Sequence, residues 1–158
     1  MTTLRTAVAT DDESLVDLHL ACWREAYAGL VPADLIESTF ADRAAALTRR
    51  REQRAAGRAL WVAESAGSLV GFASGGPARH EHAPAPVELY ALYTRAAVWG
   101  TGVGHALCVA AIGEVAAYLW VLAGNARAIG FYERQGFALD GTEKDAPAGL
   151  DLRMVRLG

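Results

Sequence analysis

Residues 88–107 read ELYALYTRAAVWGTGVGHAL, and this stretch decides the fold of the chain. The segment Val87–Thr94 holds aromatic, aliphatic and Thr residues in nearly every place, which predicts a β-strand. The segment Trp99–Gly104 is a glycine-rich turn, and a helix is predicted from Gly102 to about Ala117 because apolar residues recur on one face. These apolar residues are Val103, Leu107, Ala111 and Val115.

The glycines of this turn predict a phosphate-binding site. Glycine carries no Cβ atom, so the backbone can approach a ligand closely. The first turn of the following helix offers backbone N–H groups without intrahelical partners, together with the positive end of the helix dipole. A glycine-rich turn at a helix start is therefore suited to bind a phosphate group.

Two common phosphate-binding motifs do not fit the turn. A P-loop requires Gly-Lys-Ser/Thr at the helix start, whereas this chain has Gly104, His105 and Ala106 there. A dinucleotide fingerprint requires an acidic residue about 20 positions further on, but the next strand, Leu119–Leu122, does not end in Asp or Glu. A dinucleotide site is therefore disfavoured, and a packed turn without a ligand stays open on this motif alone.

A second motif lies at residues 121–137, which read VLAGNARAIGFYERQGF. The two motifs together resemble the GNAT superfamily of acetyl-CoA-dependent N-acetyltransferases, in which a Gln/Arg-x-x-Gly-x-Gly/Ala turn binds the pyrophosphate of coenzyme A. Gly102 and Gly104 fit the first motif, and Trp99 departs from it where the family has Arg or Gln. The second motif is matched by Asn125, Phe131, Tyr132, Glu133, Gly136 and Phe137. The resemblance extends weakly to residues 23–29.

The resemblance implies a single domain over residues 1–158 with the GNAT fold. This fold is a mixed, mostly antiparallel α/β sheet of six or seven strands flanked by about four helices, and its fourth and fifth strands splay apart to admit the cofactor. The composition agrees with a globular domain, since 53% of residues are hydrophobic and 21% are charged. The formal charge of −3 gives no overall attraction to nucleic acid or membrane. We expect a cytoplasmic protein, because the N-terminus has no apolar signal segment.

The periodicity also predicts the flanking elements. A first strand is predicted at Leu4–Ala9, followed by a helix that a capping box at Thr10–Glu13 begins and Gly29 ends. A single second helix opens at Pro32 and carries the apolar residues Ile36, Phe40, Ala44 and Leu47. Further strands are predicted at Ala59–Ser65, Ser68–Ser74, Phe137–Thr142 and Leu150–Arg156, with loops at Gly75–Pro86 and Glu143–Gly149.

The resemblance implies the cofactor-binding residues. The glycine turn would bind the pyrophosphate of acetyl-CoA, the backbone of the central strand would pair with the pantetheine arm, and the Asn amide would hydrogen-bond that arm. These residues are Leu92, Tyr93, Thr94, Trp99, Gly100, Thr101, Gly102, Val103, Gly104, Asn125 and Tyr132. A bulge in the central strand would direct a backbone N–H near Leu92 or Tyr93 at the thioester carbonyl.

Two side chains are predicted to move protons. An alkylammonium has a pKa of about 10.4, so well under about 0.1% of it is neutral at pH 7 and a base is needed. Glu88 is the candidate base, and strand alternation predicts that it shares a face with Tyr90, Leu92 and Thr94. By resemblance, Tyr132 lies near the sulfur and protonates the departing thiolate.

The acceptor is predicted to be a primary amine of a small molecule, bound by Trp23, Tyr27, Glu88 and Tyr90. A peptide N-terminus, a protein lysine or a non-catalytic acyl-CoA sensor are the alternatives. The resemblance also makes a homodimer plausible. Nucleic acid and membrane partners are not expected.

No metal is expected. The sequence His80-Glu81-His82 has ligand types, but no third or fourth ligand lies nearby in the sequence. Cys22 and Cys108 fall in apolar helix stripes and indicate neither a disulfide nor a Cys nucleophile. We therefore expect direct attack of the amine in a ternary complex.

Overall fold

The computed structural model describes all 158 residues and contains seven strands. They are β1 (Thr2–Thr6), β2 (Trp61–Ser65), β3 (Ser68–Pro77), β4 (Val87–Thr94), β5 (Ala117–Leu122), β6 (Ala138–Ala146) and β7 (Gly149–Arg156). They form one sheet in the order β1-β2-β3-β4-β5-β7-β6, in which only β4 and β5 are parallel. The predicted mixed, mostly antiparallel sheet is confirmed.

Five helices flank this sheet: α1 (Asp12–Ala26), α2 (Ala33–Thr39), α3 (Arg43–Ala55), α4 (Val103–Ile112) and α5 (Ala126–Arg134). Leu15 of α1 packs with Val62 and Phe72 on one face of the sheet. Leu107 of α4 packs with Ala63 on the opposite face. None of the helices combines the length and the apolar character needed to cross a membrane.

Two predicted helices have wrong bounds. The helix after the glycine turn ends at Ile112 instead of Ala117, because Gly113 adopts a φ of +66° and Ala117 starts β5. The single second helix is also wrong. The chain forms α2 and α3 instead, and the Asp42 side chain caps α3 by accepting a hydrogen bond from the N–H of Ala45 at 2.9 Å.

The N-terminal predictions are wrong at their edges. The first strand spans Thr2–Thr6 rather than Leu4–Ala9, because a short 3₁₀ turn at Ala9–Asp11 precedes α1. No capping box at Thr10 begins α1, since Asp11 instead accepts hydrogen bonds from Arg5. This helix already ends at Ala26, three residues before Gly29.

The remaining strands also differ from the predicted ranges. The second strand begins at Trp61 instead of Ala59, and β3 continues to Pro77, so that the following loop is shorter than Gly75–Pro86. The final hairpin pairs as far as Ala146 with Gly149, which reduces the predicted Glu143–Gly149 loop to two residues, Pro147 and Ala148.

A bulge in β4 changes which side chains share a face. Ser74 pairs with Ala91 and Gly75 pairs with Leu89, so Tyr90 is the extra residue on β4. Leu89 and Leu92 consequently both pack toward α4, whereas Ala91 packs with the α1 cluster. The predicted alternation is therefore wrong after Tyr90: Glu88 shares its face with Ala91 and Tyr93, and not with Leu92 or Thr94.

The sheet opens next to this bulge. The parallel pairing of β4 with β5 is limited to Val87 with Ala117 and Glu88 with Tyr118. Beyond these two pairs, the strands separate and β5 continues along β7 instead. The predicted splay between the fourth and fifth strands is confirmed, and it leaves backbone groups of β4 without a strand partner.

Candidate active site

The separated strands open onto a cavity of about 650 Å³. This volume lies within the usual range of small-molecule sites, roughly 300–1,000 Å³. One part of the wall is formed by Gly102, Gly104 and Asn125, which lie at the starts of α4 and α5. Another part is formed by Tyr27 and Glu88. The cavity therefore joins the glycine turn to an aromatic and acidic region.

The start of α4 offers a row of unpaired donors. The backbone N–H groups of Gly102, Val103, Gly104 and His105 donate no hydrogen bond within the protein. Gly102 has a φ of +93°, and a Cβ atom at this position would meet no protein atom within 4 Å. Four free donors around an open space at a helix start fit a phosphate group.

A cation lies beside the residue that departs from the family motif. The guanidinium of Arg127 stands 3.7 Å from the ring centroid of Trp99. Both residues line the cavity. Trp99 lacks the side-chain donor that Arg or Gln would offer to a phosphate at this position. Its ring instead holds the guanidinium of Arg127, from α5, next to the same turn.

Asn125 has a structural role and a free group. Its Oδ1 accepts a hydrogen bond from the N–H of Ala128 at 3.2 Å and caps α5. The side chain is buried, lines the cavity and donates no hydrogen bond. Its amide N–H groups are therefore available to a ligand.

Tyr132 is buried in the cavity wall with an unpaired hydroxyl. The ring packs against Phe131 and Phe137, and the hydroxyl has no hydrogen-bond partner in the protein. Burial raises the pKa of Tyr132 above its ordinary value. The phenol therefore keeps its proton at neutral pH, and its oxygen is free to interact with a ligand.

Glu88 is held in a network of its own. Arg79 donates to Oε2 from its guanidinium at 2.7 Å and to Oε1 from its backbone N–H at 3.1 Å. Tyr118 donates to Oε1 at 2.8 Å. Burial favours the protonated carboxyl, but the hydrogen bonds from Arg79 and Tyr118 outweigh this effect and lower the pKa of Glu88. Glu88 is thus a buried carboxylate, with a side chain only 1% exposed, whose charge is stabilised by hydrogen bonds from the protein.

Aromatic residues enclose the cavity on the α1 side. The rings of Trp23 and Tyr27 are 4.9 Å apart, and the hydroxyls of Tyr27 and Tyr93 lie 3.4 Å apart. The Tyr90 hydroxyl donates to the carbonyl of Pro77 at 2.5 Å, and Arg79 lies 4.1 Å above its ring. These contacts give the region rigid walls.

The chain matches the model of the acetyltransferase (GNAT) family over residues 13–137. The protein belongs to the GNAT family. It is an N-acetyltransferase with acetyl-CoA as its acyl donor, and the free donors at the start of α4 fit the pyrophosphate of this cofactor.

A relative agrees with this membership, and solved structures share the fold. The uncharacterized N-acetyltransferase YuaI of Bacillus subtilis is 28% identical over 168 residues, which cover 100% of this chain and 92% of YuaI. The PaiA N-acetyltransferase of Thermoplasma acidophilum, solved with coenzyme A, has a TM-score of 0.79 at 20% identity and covers 100% and 99% of the two chains. YncA of Salmonella typhimurium, solved with acetyl-CoA, has a TM-score of 0.68 at 18% identity over 98% and 92%.

The GNAT cavity brings together most of the predicted site residues. Its wall includes Trp23, Tyr27, Glu88, Tyr90, Leu92, Tyr93, Thr94, Trp99, Gly100, Gly102, Gly104, Asn125 and Tyr132. Thr101 and Val103 are the two exceptions. Thr101 is exposed and donates to the carbonyl of Val98, while the Val103 side chain packs in the core. The part of Val103 that is available to a ligand is its backbone N–H, which donates no hydrogen bond within the protein.

The cavity residues of the GNAT enzyme that sequence reasoning missed include Arg79, Trp120 and Asp151. Arg79 follows the β3 strand in a loop, and nothing in the sequence connects it with Glu88. Trp120 and Asp151 lie on neighbouring strands β5 and β7, and only the register of these strands brings them to one wall. Alternation along β7 was the one available signal, since it separates Asp151 from the core residues Leu152 and Met154.

The His80-Glu81-His82 segment is a surface loop. No group of three or more His, Cys, Asp or Glu side chains is arranged to hold a metal ion. His80 instead lies with its Nε2 at 3.7 Å from Oε2 of Glu88.

Proposed function

We propose that the acceptor is a primary amine of a small molecule and that it attacks acetyl-CoA directly in a ternary complex. The observation that carries the proposal is the single cavity that joins the donors of α4 to the aromatic and acidic wall. Both substrates can bind in this cavity at once, so the amine and the thioester can meet without an intermediate carrier.

The buried cysteines support direct attack. Cys22 and Cys108 are 0% and 1% exposed. Burial raises the pKa of the Cys22 thiol to about 12 and raises the pKa of Cys108 as well. A thiol that does not ionise is a poor nucleophile. Neither residue is suited to form an acetyl-enzyme.

We assign Tyr132 as the general acid. As the amine nitrogen bonds to the thioester carbon, the C–S bond breaks and the leaving sulfur needs a proton. The buried phenol supplies that proton from an oxygen with no competing partner, and the amine nitrogen releases its own surplus proton to restore the phenol. Backbone N–H groups of β4 near Leu92 and Tyr93 would bind the carbonyl oxygen, since the separated strands leave such groups unpaired.

The base is one of two cavity carboxylates. Glu88, predicted from the sequence, stays a prediction. Its oxygens already accept three hydrogen bonds from Arg79 and one from Tyr118, so it would act through a water molecule. Its lowered pKa makes it a weaker proton acceptor than an ordinary carboxylate. The other carboxylate, Asp151, is treated in the next subsection.

Thiol release from acetyl-CoA across a panel of amines tests the proposed function. The panel contains alkylamines, polyamines, amino acids, aminoglycosides and a short peptide with a free N-terminus. We expect release that depends on a small amine, with the acetylated amine identified by its mass. Release with the peptide alone would support the protein-acetylating alternative. Binding of acetyl-CoA without release from any amine would contradict the proposal and favour the sensor. A homodimer stays a prediction, and sedimentation of the same sample tests it.

A further inference from the structure

Asp151 is an unpaired carboxylate in the cavity wall. It lies on β7 opposite Leu122 of β5 and next to Lys144 of β6. Its carboxylate takes part in no ion pair, and no hydrogen bond lowers its pKa. The cavity has one other acidic residue, Glu88, and its carboxylate accepts hydrogen bonds from Arg79 and Tyr118. Asp151 is therefore the one cavity carboxylate with free oxygens.

The neighbouring Lys144 forms no salt bridge with Asp151. The Nζ of Lys144 stands 4.2 Å from the ring centroid of Trp120, and its charge reaches Asp151 only through space. A carboxylate that is half-buried without a counter-ion is costly to desolvate. A cationic ligand would remove this cost by pairing with it.

The surroundings of Asp151 suit a cation. Asp151 lines the same cavity as the aromatic residues Tyr27 and Tyr93, whose hydroxyls lie 3.4 Å apart. Aromatic faces attract alkylammonium groups.

We propose that Asp151 binds the ammonium group of the acceptor and takes its proton. The N–H bond breaks, the proton moves to a carboxylate oxygen of Asp151, and the lone pair left on nitrogen attacks the carbonyl carbon of acetyl-CoA. The protonated Asp151 then releases the proton to solvent. This inference rests on the proposed function and names its acceptor class: an alkylamine that is positively charged at neutral pH.

The pH dependence separates Asp151 from Glu88. Tyr27 of the loop after α1, Tyr93 of β4 and Lys144 of β6 line the cavity together with Asp151, and Arg153 follows Asp151 on the same face of β7. Burial raises the pKa of Asp151 above its ordinary value, and the Lys144 charge offsets only part of this effect. Because a base works in its deprotonated form, activity is lost as the pH falls through this raised pKa. This loss forms the acidic limb of the pH–activity profile. If Glu88 were the base, its lowered pKa would place the acidic limb at a pH below the ordinary pKa range of carboxylates.

The experiment compares Asp151→Asn, Glu88→Gln and Asp145→Asn. Asp145 lies on β6, is exposed and does not line the cavity, so its Asn variant removes the same charge as a matched control. For each variant kcat/KM is measured against pH with a charged alkylamine and with an aromatic amine that is uncharged at pH 7. Binding of acetyl-CoA is measured by calorimetry as a check on the fold.

We expect Asp151→Asn to lower kcat/KM for the alkylamine by roughly 100-fold or more, the usual range for loss of a general base. The loss with the aromatic amine is expected to be much smaller, because that amine needs no deprotonation. The acidic limb should vanish in Asp151→Asn and persist in Glu88→Gln and Asp145→Asn. An intact limb in Asp151→Asn, or equal losses with both amines, would overturn the inference. A wild-type protein that acetylates no amine would overturn the proposed function as well.

Discussion

Replacing Tyr132 with Phe is expected to lower kcat by roughly 100-fold or more, the scale of general acid catalysis, while the Kd for acetyl-CoA stays nearly unchanged. The hydroxyl has no hydrogen bond within the protein, so its removal leaves no partner unsatisfied. The ring keeps its contacts with Phe131 and Phe137. The change therefore removes a proton donor without removing packing.

Steady-state kinetics with calorimetry and thermal unfolding measure the three quantities separately. If the hydroxyl is only structural, the melting temperature or the acetyl-CoA affinity of Tyr132→Phe will fall while kcat stays the same. That result would contradict the acid assignment. Changing the acceptor amine does not separate the general-acid role of Tyr132 from a structural role. Changing the acyl donor to a thioester with a less basic leaving thiolate does separate them. Such a donor needs less protonation, and its transfer rate should fall less in the variant.

Replacing Gly102 with Val is expected to abolish measurable binding of acetyl-CoA. A Cβ atom at Gly102 would project into open space, with no protein atom within 4 Å. Because this space lies against the unpaired N–H groups of α4, a valine side chain would occupy the volume that a phosphate needs. The φ of +93° adds strain, which costs about 1–3 kcal/mol for a residue with a Cβ atom.

Gly113→Val is the matched control. Gly113 ends the same helix, has a φ of +66° and likewise has no protein atom near an added Cβ. It does not line the cavity, so it should lose stability and keep its affinity for acetyl-CoA. Calorimetric titration and thermal unfolding of both variants give the comparison. Equal loss of affinity in Gly113→Val would mean that strain in α4, and not obstruction of the phosphate site, explains the effect.

The central part of the fold was predictable because its signals are local. The β4 strand, the glycine turn and the start of α4 each follow from residues that are neighbours in sequence. The start of α5 is determined locally as well, since the side chain of Asn125 caps it by accepting a hydrogen bond from the N–H of Ala128. These segments also carry the unpaired backbone N–H groups that we propose to bind phosphate, so this proposal starts from a local sequence signal.

The remaining features depend on residues that are distant in sequence. The bulge at Tyr90 arises in the pairing of β4 with β3, and no pattern within β4 shows it. The Arg79 ion pair with Glu88 requires the β3–β4 loop to turn back over the strand. Asp151 resembles a surface charge in the sequence, and it reaches the cavity only because β7 pairs with β5 where β4 has separated from it.

The most direct test of direct acetyl transfer is a quenched single turnover followed by mass spectrometry. Protein in excess over acetyl-CoA is mixed with the acceptor found in the amine panel, and the reaction is quenched in acid. The masses of the protein and of the products are then measured. The account predicts that the acetyl mass appears on the amine as it disappears from acetyl-CoA, and never on the protein. An acetylated protein that forms without the acceptor and then passes its acetyl group to the amine would contradict it.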